Sequence, residues 1–378
     1  MKRFLAVFLM LAILLTSVSL TAMAADPDGW KKVEGGWQYI QGGKPVADKW
    51  IHEGNDWYYI SSDTYMATDW LVPTFDQYGE VNAYYYLQEN GKMLANAWHE
   101  FKFVVEENGV AKTYSIWIYA KANGALARNE WMQLSGKWFY FEHIVMVAGT
   151  DMKIDGKWYY FKPTGEMVQG WYQPWKDEGV LGWIYADQSG VLATKWKMID
   201  GKWYYFGGWE DWDLLYIDEV ISIWKDEKTL DIYAADKSGA MITNAWFDDT
   251  WQDADGEVHH DWFYLTGSGL AAKGWLNVGG KWYYMDPDWA VMWTGWASIK
   301  DVDYHFDEKT GAMTIGWFKF GDAWYYFKDS GAMARNEWLQ INGKWYYFDN
   351  DGRMLAGGTF VFTDSKTYTF DANGVWVK

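Results

Sequence analysis

Pairs of tryptophans seven residues apart recur along this sequence, as at Trp30 and Trp37, Trp50 and Trp57, Trp131 and Trp138, and Trp317 and Trp324. A cation that cannot donate a hydrogen bond, such as a quaternary ammonium, is held by aromatic faces and by exclusion of water. Two indoles on adjacent strands wall two sides of a box for such a group, and the same rings could act as stacking platforms for sugars. Each second Trp opens an aromatic triplet. Side chains alternate along a strand, so triplet positions one and three share a face. This alternation predicts that the third-position Tyr of the following unit closes the box. The resulting sets are Trp30, Trp37 and Tyr59; Trp50, Trp57 and Tyr86; Trp131, Trp138 and Tyr160; and Trp317, Trp324 and Tyr347. Wider spacings offer Trp171, Trp183 and Tyr205, and Trp246, Trp262 and Tyr284. Other junctions fail on this rule. Asp231 and Asp303 stand where a triplet Trp is expected, and His305 and Thr369 where the closing Tyr is expected.

Residues for nucleophilic or metal-assisted chemistry show no catalytic pattern, and paired carboxylates among the 51 Asp and Glu would still need a cleft that repeats do not offer. The chain has no Cys, which removes thiol nucleophiles, disulfides and Cys-ligated zinc together. His52, His99, His143, His259, His260 and His305 form no zinc-peptidase pattern, and no Gly-x-Ser-x-Gly elbow is present. The acidic stretch from Asp253 to Asp261 invites a metal reading, but Trp251 and Trp262 stand at the first and last ligand positions of a calcium loop. It reads as a polar hairpin tip. No catalytic residue, metal site or cofactor is therefore assigned. A formal charge of −18 argues against a nucleic-acid partner and against anionic membrane surfaces, because both need basic patches.

The elements that position the rings follow from the repeat. Gly-Lys-Trp-Tyr-Tyr occurs at 156–160, 201–205, 280–284 and 343–347, and relaxing it to an aromatic triplet gives fifteen units, with starts from 37 to 367. Each unit predicts a β-hairpin. A short strand carries the lead Trp. A turn such as Asp200-Gly201 or Asn342-Gly343 supplies positive φ, and the triplet forms the second strand. A further Gly turn leads into a Met-Ala or Leu-Ala step. About twenty residues make too small a core alone, so the units must stack on a shared apolar spine. The expected fold is all-β: a solenoid, or superhelix, of about fifteen stacked hairpins, from the unit at 29–49 to that at 359–378. Extra residues between Glu100 and Ser115, and between Asp248 and Asp261, predict elongated hairpins. The block from 207 to 231 departs most from the repeat. Its Glu210, Asp211 and Asp213 beside Trp209 and Trp212 read as an irregular turn, since so short a block cannot build a catalytic domain.

Residues 1–24 have the three parts of a secretory signal: Lys2 and Arg3, an apolar run from Phe4 to Leu15, and Ala22-Met23-Ala24 as a cleavage site. The expected mature chain is 25–378, made entirely of repeats, with no later segment long and apolar enough to span a bilayer.

The unit resembles the choline-binding, or cell-wall-binding, repeat of Gram-positive surface proteins. The pattern is Gly-Trp, a short strand, Asn/Asp-Gly-Lys-Trp-Tyr-Tyr-Phe, then Gly-x-Met-Ala. Gly170-Trp171, Gly274-Trp275, Gly295-Trp296 and Gly316-Trp317 supply the opening dipeptide. The resemblance covers essentially all of 29–378. It implies ligand sites between neighbouring hairpins, built from two Trp of one repeat and an aromatic of the next, often above a Met. On that pattern Met66, Met93, Met167 and Met354 join their sets. It further implies a secreted, non-catalytic protein held non-covalently at the cell surface by choline on wall teichoic acids. Similar hairpin grammar in glucan-binding and toxin repeats keeps an α-glucan or galactosyl ligand as the alternative. An adhesin whose long hairpins contact a host or partner protein, and the anchor of a wall hydrolase, are the remaining readings.

Overall fold

A computed structural model of the chain describes residues 26–174, 182–207, 214–362 and 365–377. The expected leader, and the cluster of Glu210, Asp211 and Asp213 with Trp209 and Trp212, lie outside the described residues. The regular structure of the described residues is entirely β. Fifteen antiparallel sheets of two or three strands follow one another in chain order, one per sequence repeat. They fall into two compact units. One comprises residues up to Ile154 with Tyr159–Val168, the other Asp155–Trp158 with Gln169 onward. Within each unit the hairpins succeed one another as a β-hairpin solenoid.

The hairpin turns follow from residue type. Between strands Glu337–Ile341 and Lys344–Phe348, Asn342 and Gly343 have φ of +50° and +79°. Two successive left-handed residues make the turn whose twist matches the flanking strands, and Asn-Gly adopts it at least cost. Lys300 and Asp301 take the same shape, at +50° and +62°, without a glycine.

The lead Trp pairs across the strands with triplet position three, and the residue two beyond it with position one: Trp317↔Tyr326 and Lys319↔Trp324. This register corrects one triplet. In the hairpin Glu219–Trp224 and Leu230–Ala235, Val220 pairs with Ala234 and Ser222 with Ile232. Position one there is Ile232, not Asp231, because the strand pair has slipped by one residue relative to its aromatic.

The core lies at the residue after the triplet. Phe141 and Phe161 in one unit, and Phe206, Phe306, Phe327 and Phe348 in the other, are completely buried. Each fully buried Phe contributes roughly 1.5–3 kcal/mol, which no isolated hairpin of this size could realise. The Met-Ala step then stitches hairpins together. Met354 N–H donates to Trp324 O of the preceding hairpin at 2.8 Å, and Leu355 N–H to Tyr347 O of its own at 3.0 Å. The same bonds join Met66 to Trp37 at 2.8 Å, Met93 to Trp57 at 2.7 Å and Met167 to Trp138 at 2.8 Å. The two elongated hairpins are present, as Ala97–Glu107 with Val110–Ala120 and Ala245–Gln252 with Val258–Leu265.

Candidate ligand cages between hairpins

At the junction opened by Trp317, cross-strand pairing sets Trp317 and Trp324 on one face of a hairpin. Their ring centroids are 6.2 Å apart and their planes lie at 89°. Perpendicular rings at this separation form two walls of a corner. The third wall is Tyr346 of the next hairpin, 4.9 Å from Trp317. Met354 lies beneath, and these four residues with Ala372 and Asn373 line a cavity of about 330 Å³. Trp324 is 40% exposed, so one ring face stays open to water. The ammonium of Lys319 already lies 5.9 Å from its centroid. A residue with so much free indole surface contributes little to the core and leaves a ring face available.

The floor is fixed by a glycine. A Cβ at Gly374 would fall 2.3 Å from Met354 Sδ. The missing side chain is therefore the space into which the thioether of the preceding step fits. The same fit recurs at Gly91 with Met66, Gly124 with Met93, Gly331 with Met313 and Gly352 with Met333.

The Trp corner repeats. Trp50 and Trp57 lie at 6.5 Å and 76°, Trp131 and Trp138 at 6.4 Å and 85°, and Trp171 and Trp183 at 6.3 Å and 87°. Trp30 and Trp37 share a hairpin in the same register, as do Trp246 and Trp262; Trp37 O accepts from Met66 N–H and Trp262 O from Met292 N–H.

The closing ring differs from the sequence expectation. Lead Trp residues meet position two of the following triplet, not position three. The distances are 5.1 Å for Trp30 and Tyr58, 5.2 Å for Trp50 and Tyr85, 4.8 Å for Trp131 and Tyr159, 5.0 Å for Trp171 and Tyr204, and 4.9 Å for Trp246 and Tyr283. The third-position residues pack elsewhere. Tyr59, Tyr205, Tyr284 and Tyr347 lie against the lead Trp of their own hairpins, at 5.0–5.3 Å. Tyr86 is buried against His99 and Phe101, and Tyr160 is buried. The reason is geometric. In a head-to-tail stack the front of one hairpin meets the back of the next. Positions one and three are the front, so the back presents position two. The buried role of the third-position phenols shows in their acidity. Those of Tyr59 and Tyr347 are pushed up, chiefly by burial and then by Asp48 and Asp349 respectively. Tyr59 lines a separate cavity of about 530 Å³ with Asp48, Tyr65 and Trp70.

This correction admits two junctions that the sequence rule missed. Trp275 and Trp282 lie at 6.3 Å and 83°, closed by Tyr304 at 4.9 Å, and His305 is irrelevant to them. Trp98 and Trp117 lie at 6.4 Å and 81°, closed by Phe139 at 5.3 Å. Their cavity of about 450 Å³ has Met146 on its wall. The spacing of nineteen positions between these two Trp hid the pair, because an elongated hairpin separates them along the chain but not across the strands.

The stretch from Trp251 to Asp261 pairs its polar groups internally. His259 Nε2 lies 2.8 Å from Asp253, His260 Nδ1 lies 2.8 Å from Asp248, and the Trp251 indole N–H donates to Asp261 at 2.9 Å. The His259 bond holds the Asp253 carboxyl below its ordinary range. Burial, with Asp261 and Asp248 nearby, pushes Asp249 up.

Two sequence profiles match the chain. The one described as "Choline-binding repeat" matches 293–338, and the "Putative cell wall binding repeat" matches 48–63, 153–167, 194–210, 273–288 and 336–354. The chain carries repeats of the choline-binding family. Among solved structures it is similar to choline binding protein F from Streptococcus pneumoniae, at 24% identity over 93% of this chain and 100% of that one, with a TM-score of 0.27. CbpJ from the same organism is 23% identical over 86% of this chain and 100% of its own, also at 0.27. The choline binding domain of Spr1274, again from S. pneumoniae, is 32% identical over 23% of this chain and 96% of that one, at 0.20. No curated protein sequence matches the chain. The assignment to the family rests on the repeat profiles.

Proposed function

We propose that this protein is a non-catalytic cell-wall-binding protein that holds choline groups of wall teichoic acids in the cages between its hairpins. The observation that carries this reading is the repeated corner of two perpendicular Trp, closed by a position-two aromatic of the next hairpin over a thioether floor. A quaternary ammonium needs ring faces and no hydrogen-bond acceptor, and this corner offers rings and little else. One cation–π contact is worth roughly 0.5–2 kcal/mol. Three such contacts are worth only a few kcal/mol before the association cost is subtracted, so a single cage holds its ligand weakly, on the order of millimolar at best. A polymer bearing many choline groups then binds through several cages together, and the linkage multiplies the affinity without new contacts. The acidic balance of the chain favours a cationic ligand over an anionic one.

The N-terminal segment fits this role. Lys2 and Arg3 before the apolar run, with cleavage after Ala24, deliver the chain outside the cell. No described helix is long and apolar enough to cross a membrane. In this reading the protein is held non-covalently, through the polymer. The test is retention of the protein on a tertiary-amine resin and its elution by free choline, with dextran and galactoside resins in parallel. Retention on dextran or galactoside alone would replace choline with a sugar ligand. Release of reducing sugar or free amino groups from peptidoglycan by residues 25–378 would refute the non-catalytic reading.

A further inference from the structure

Three junctions lack a Trp at position one: Tyr84, Ile232 and Asp303 stand there. The carbonyls of these residues still accept the stitching bond of the next step, from Leu126, Ala271 and Met333, each at 2.8 Å. Two residues beyond those donors the chain places Arg128, Lys273 and Arg335. Where position one is Trp, the corresponding residue is neutral at Thr68, Ala95, Gln169, Thr243, Thr294 and Ala356. The exception is the last junction, where Trp376 stitches to Trp345 and the chain ends on Lys378.

All three basic side chains reach back to the hairpin that lacks its Trp. The Arg128 guanidinium lies 5.7 Å from the Tyr84 ring and donates to Val81 O at 2.9 Å. Lys273 Nζ donates to Leu230 O at 2.9 Å and to Asp288 O at 2.8 Å. Arg335 Nη1 forms an ion pair with Asp303, and its Nε donates to Asn350 O at 2.8 Å. A cation thus bridges two hairpins at each of these junctions, as a bound ligand would at a Trp corner.

We infer that Arg128, Lys273 and Arg335 are built-in surrogates for the ligand: they latch the junctions whose position one is not Trp, and by doing so keep those junctions from needing a ligand. The inference rests on the reading that Trp corners bind quaternary ammonium groups. Its chemistry is consistent with the exchange of partners. A tethered cation loses no translational freedom on binding, and guanidinium and ammonium groups can use carbonyl and carboxylate oxygens that a quaternary ammonium cannot. The junction at Asp303 also keeps the rest of a cage. Trp296 stands 5.1 Å from Tyr325, Met333 lies below, and with Phe320, Asp303 and Asp351 they surround a cavity of about 380 Å³. Only the second Trp is missing.

Two measurements test this. In ligand-free protein, Arg335→Ala should lower the melting temperature by about 2–4 °C. Asp303→Asn should then add little in the Arg335→Ala background, because the pair acts as one unit. Full additivity, or no change in Arg335→Ala, would overturn the latch. The second measurement is the exchange variant Asp303→Trp with Arg335→Thr. Equilibrium dialysis with choline should find one more bound choline per chain than in wild type. A folded exchange variant with wild-type stoichiometry would overturn the claim that the latch stands in for a ligand. If wild type itself binds no choline, the proposed function fails, and the latch stands or falls on the ligand-free melts alone.

Discussion

Replacing Gly374 by alanine should damage the fold and a cage together, although Gly374 lines neither the Trp corner nor the core. Its φ is +80°, where a Cβ costs about 1–2 kcal/mol. The added carbon would stand 2.3 Å from Met354 Sδ and 2.4 Å from Cε. Contact between such atoms is comfortable near 3.5–4 Å, so the thioether must retreat by more than an ångström. Methionine can move at the cost of an off-rotamer torsion, about 0.5–1.5 kcal/mol. The open volume beside it is the cavity under Trp317, Trp324 and Tyr346. The sum is about 2–3 kcal/mol, or roughly 5–10 °C in melting temperature for a unit of this size. The choline-dependent rise in melting temperature should shrink as well, because the floor has entered the site. Two comparisons isolate the cause. Gly321 has φ of +57° and open space where its Cβ would go, so Gly321→Ala should carry the backbone cost alone. In a Met354→Ala background, Gly374→Ala should also fall to that smaller cost. Calorimetric melts of the four variants with and without choline supply the numbers. Equal losses for Gly374→Ala and Gly321→Ala would refute the thioether lock.

Three further outcomes are expected. Trp324→Ala and Tyr346→Phe should separate the need for a ring from any need for its hydroxyl. The first should remove one choline per chain by equilibrium dialysis and the second should retain it, while Tyr347→Ala should act on ligand-free stability rather than on stoichiometry. Asp301→Gly should stabilise the chain by about 0.5–1 kcal/mol, read as a higher urea midpoint, because Asp301 sits at φ +62° in a turn that favours Asn-Gly. His305 is buried against Phe318, with its Nδ1 2.8 Å from the Thr314 hydroxyl, and burial pushes its pKa below the ordinary value. A folded pKa below the unfolded one means that the unfolded chain takes up the proton first. The stabilisation is therefore complete above about pH 6.5 and declines as pH falls from there toward the folded pKa. Denaturant midpoints from pH 8 to 5 should show that decline, and His305→Tyr should flatten it.

The hairpins, their turns and the all-β stack were legible because each rests on local chemistry. Asn342-Gly343 takes positive φ at both residues, as a tight hairpin turn asks of that dipeptide, and a triplet of rings fits a half-buried strand. What the sequence did not reveal is how one hairpin faces the next. Alternation correctly grouped positions one and three within a hairpin, as Trp317, Trp324 and Tyr326 demonstrate. The same alternation was then applied to the following hairpin, as though two fronts met. A head-to-tail repeat brings front to back, so Tyr346 meets Trp317 while Tyr347 turns to Trp338. The slip at Ile232 had a different origin. Counting aromatics placed the triplet at Asp231, but the pairing of Ser222 with Ile232 is fixed by the turn and strand lengths, which carry no aromatic signal.

The position of the cages between hairpins links binding to the integrity of the stack. A Trp corner belongs to one hairpin and its closing ring to the next, so separating them costs the ligand its third wall. Any group that binds only the stacked state must favour stacking, by an amount that grows with its concentration over its dissociation constant. A weak single site contributes little, and a polymer engaging several neighbouring corners contributes a multiple of it. The junctions at Tyr84, Ile232 and Asp303 cannot draw on this support, and there the chain supplies Arg128, Lys273 and Arg335 instead. A repeat protein is only as cooperative as its weakest interface. On the proposed reading, ligand-independent contacts at the Trp-less junctions would keep such an interface from splitting the stack before a wall polymer binds.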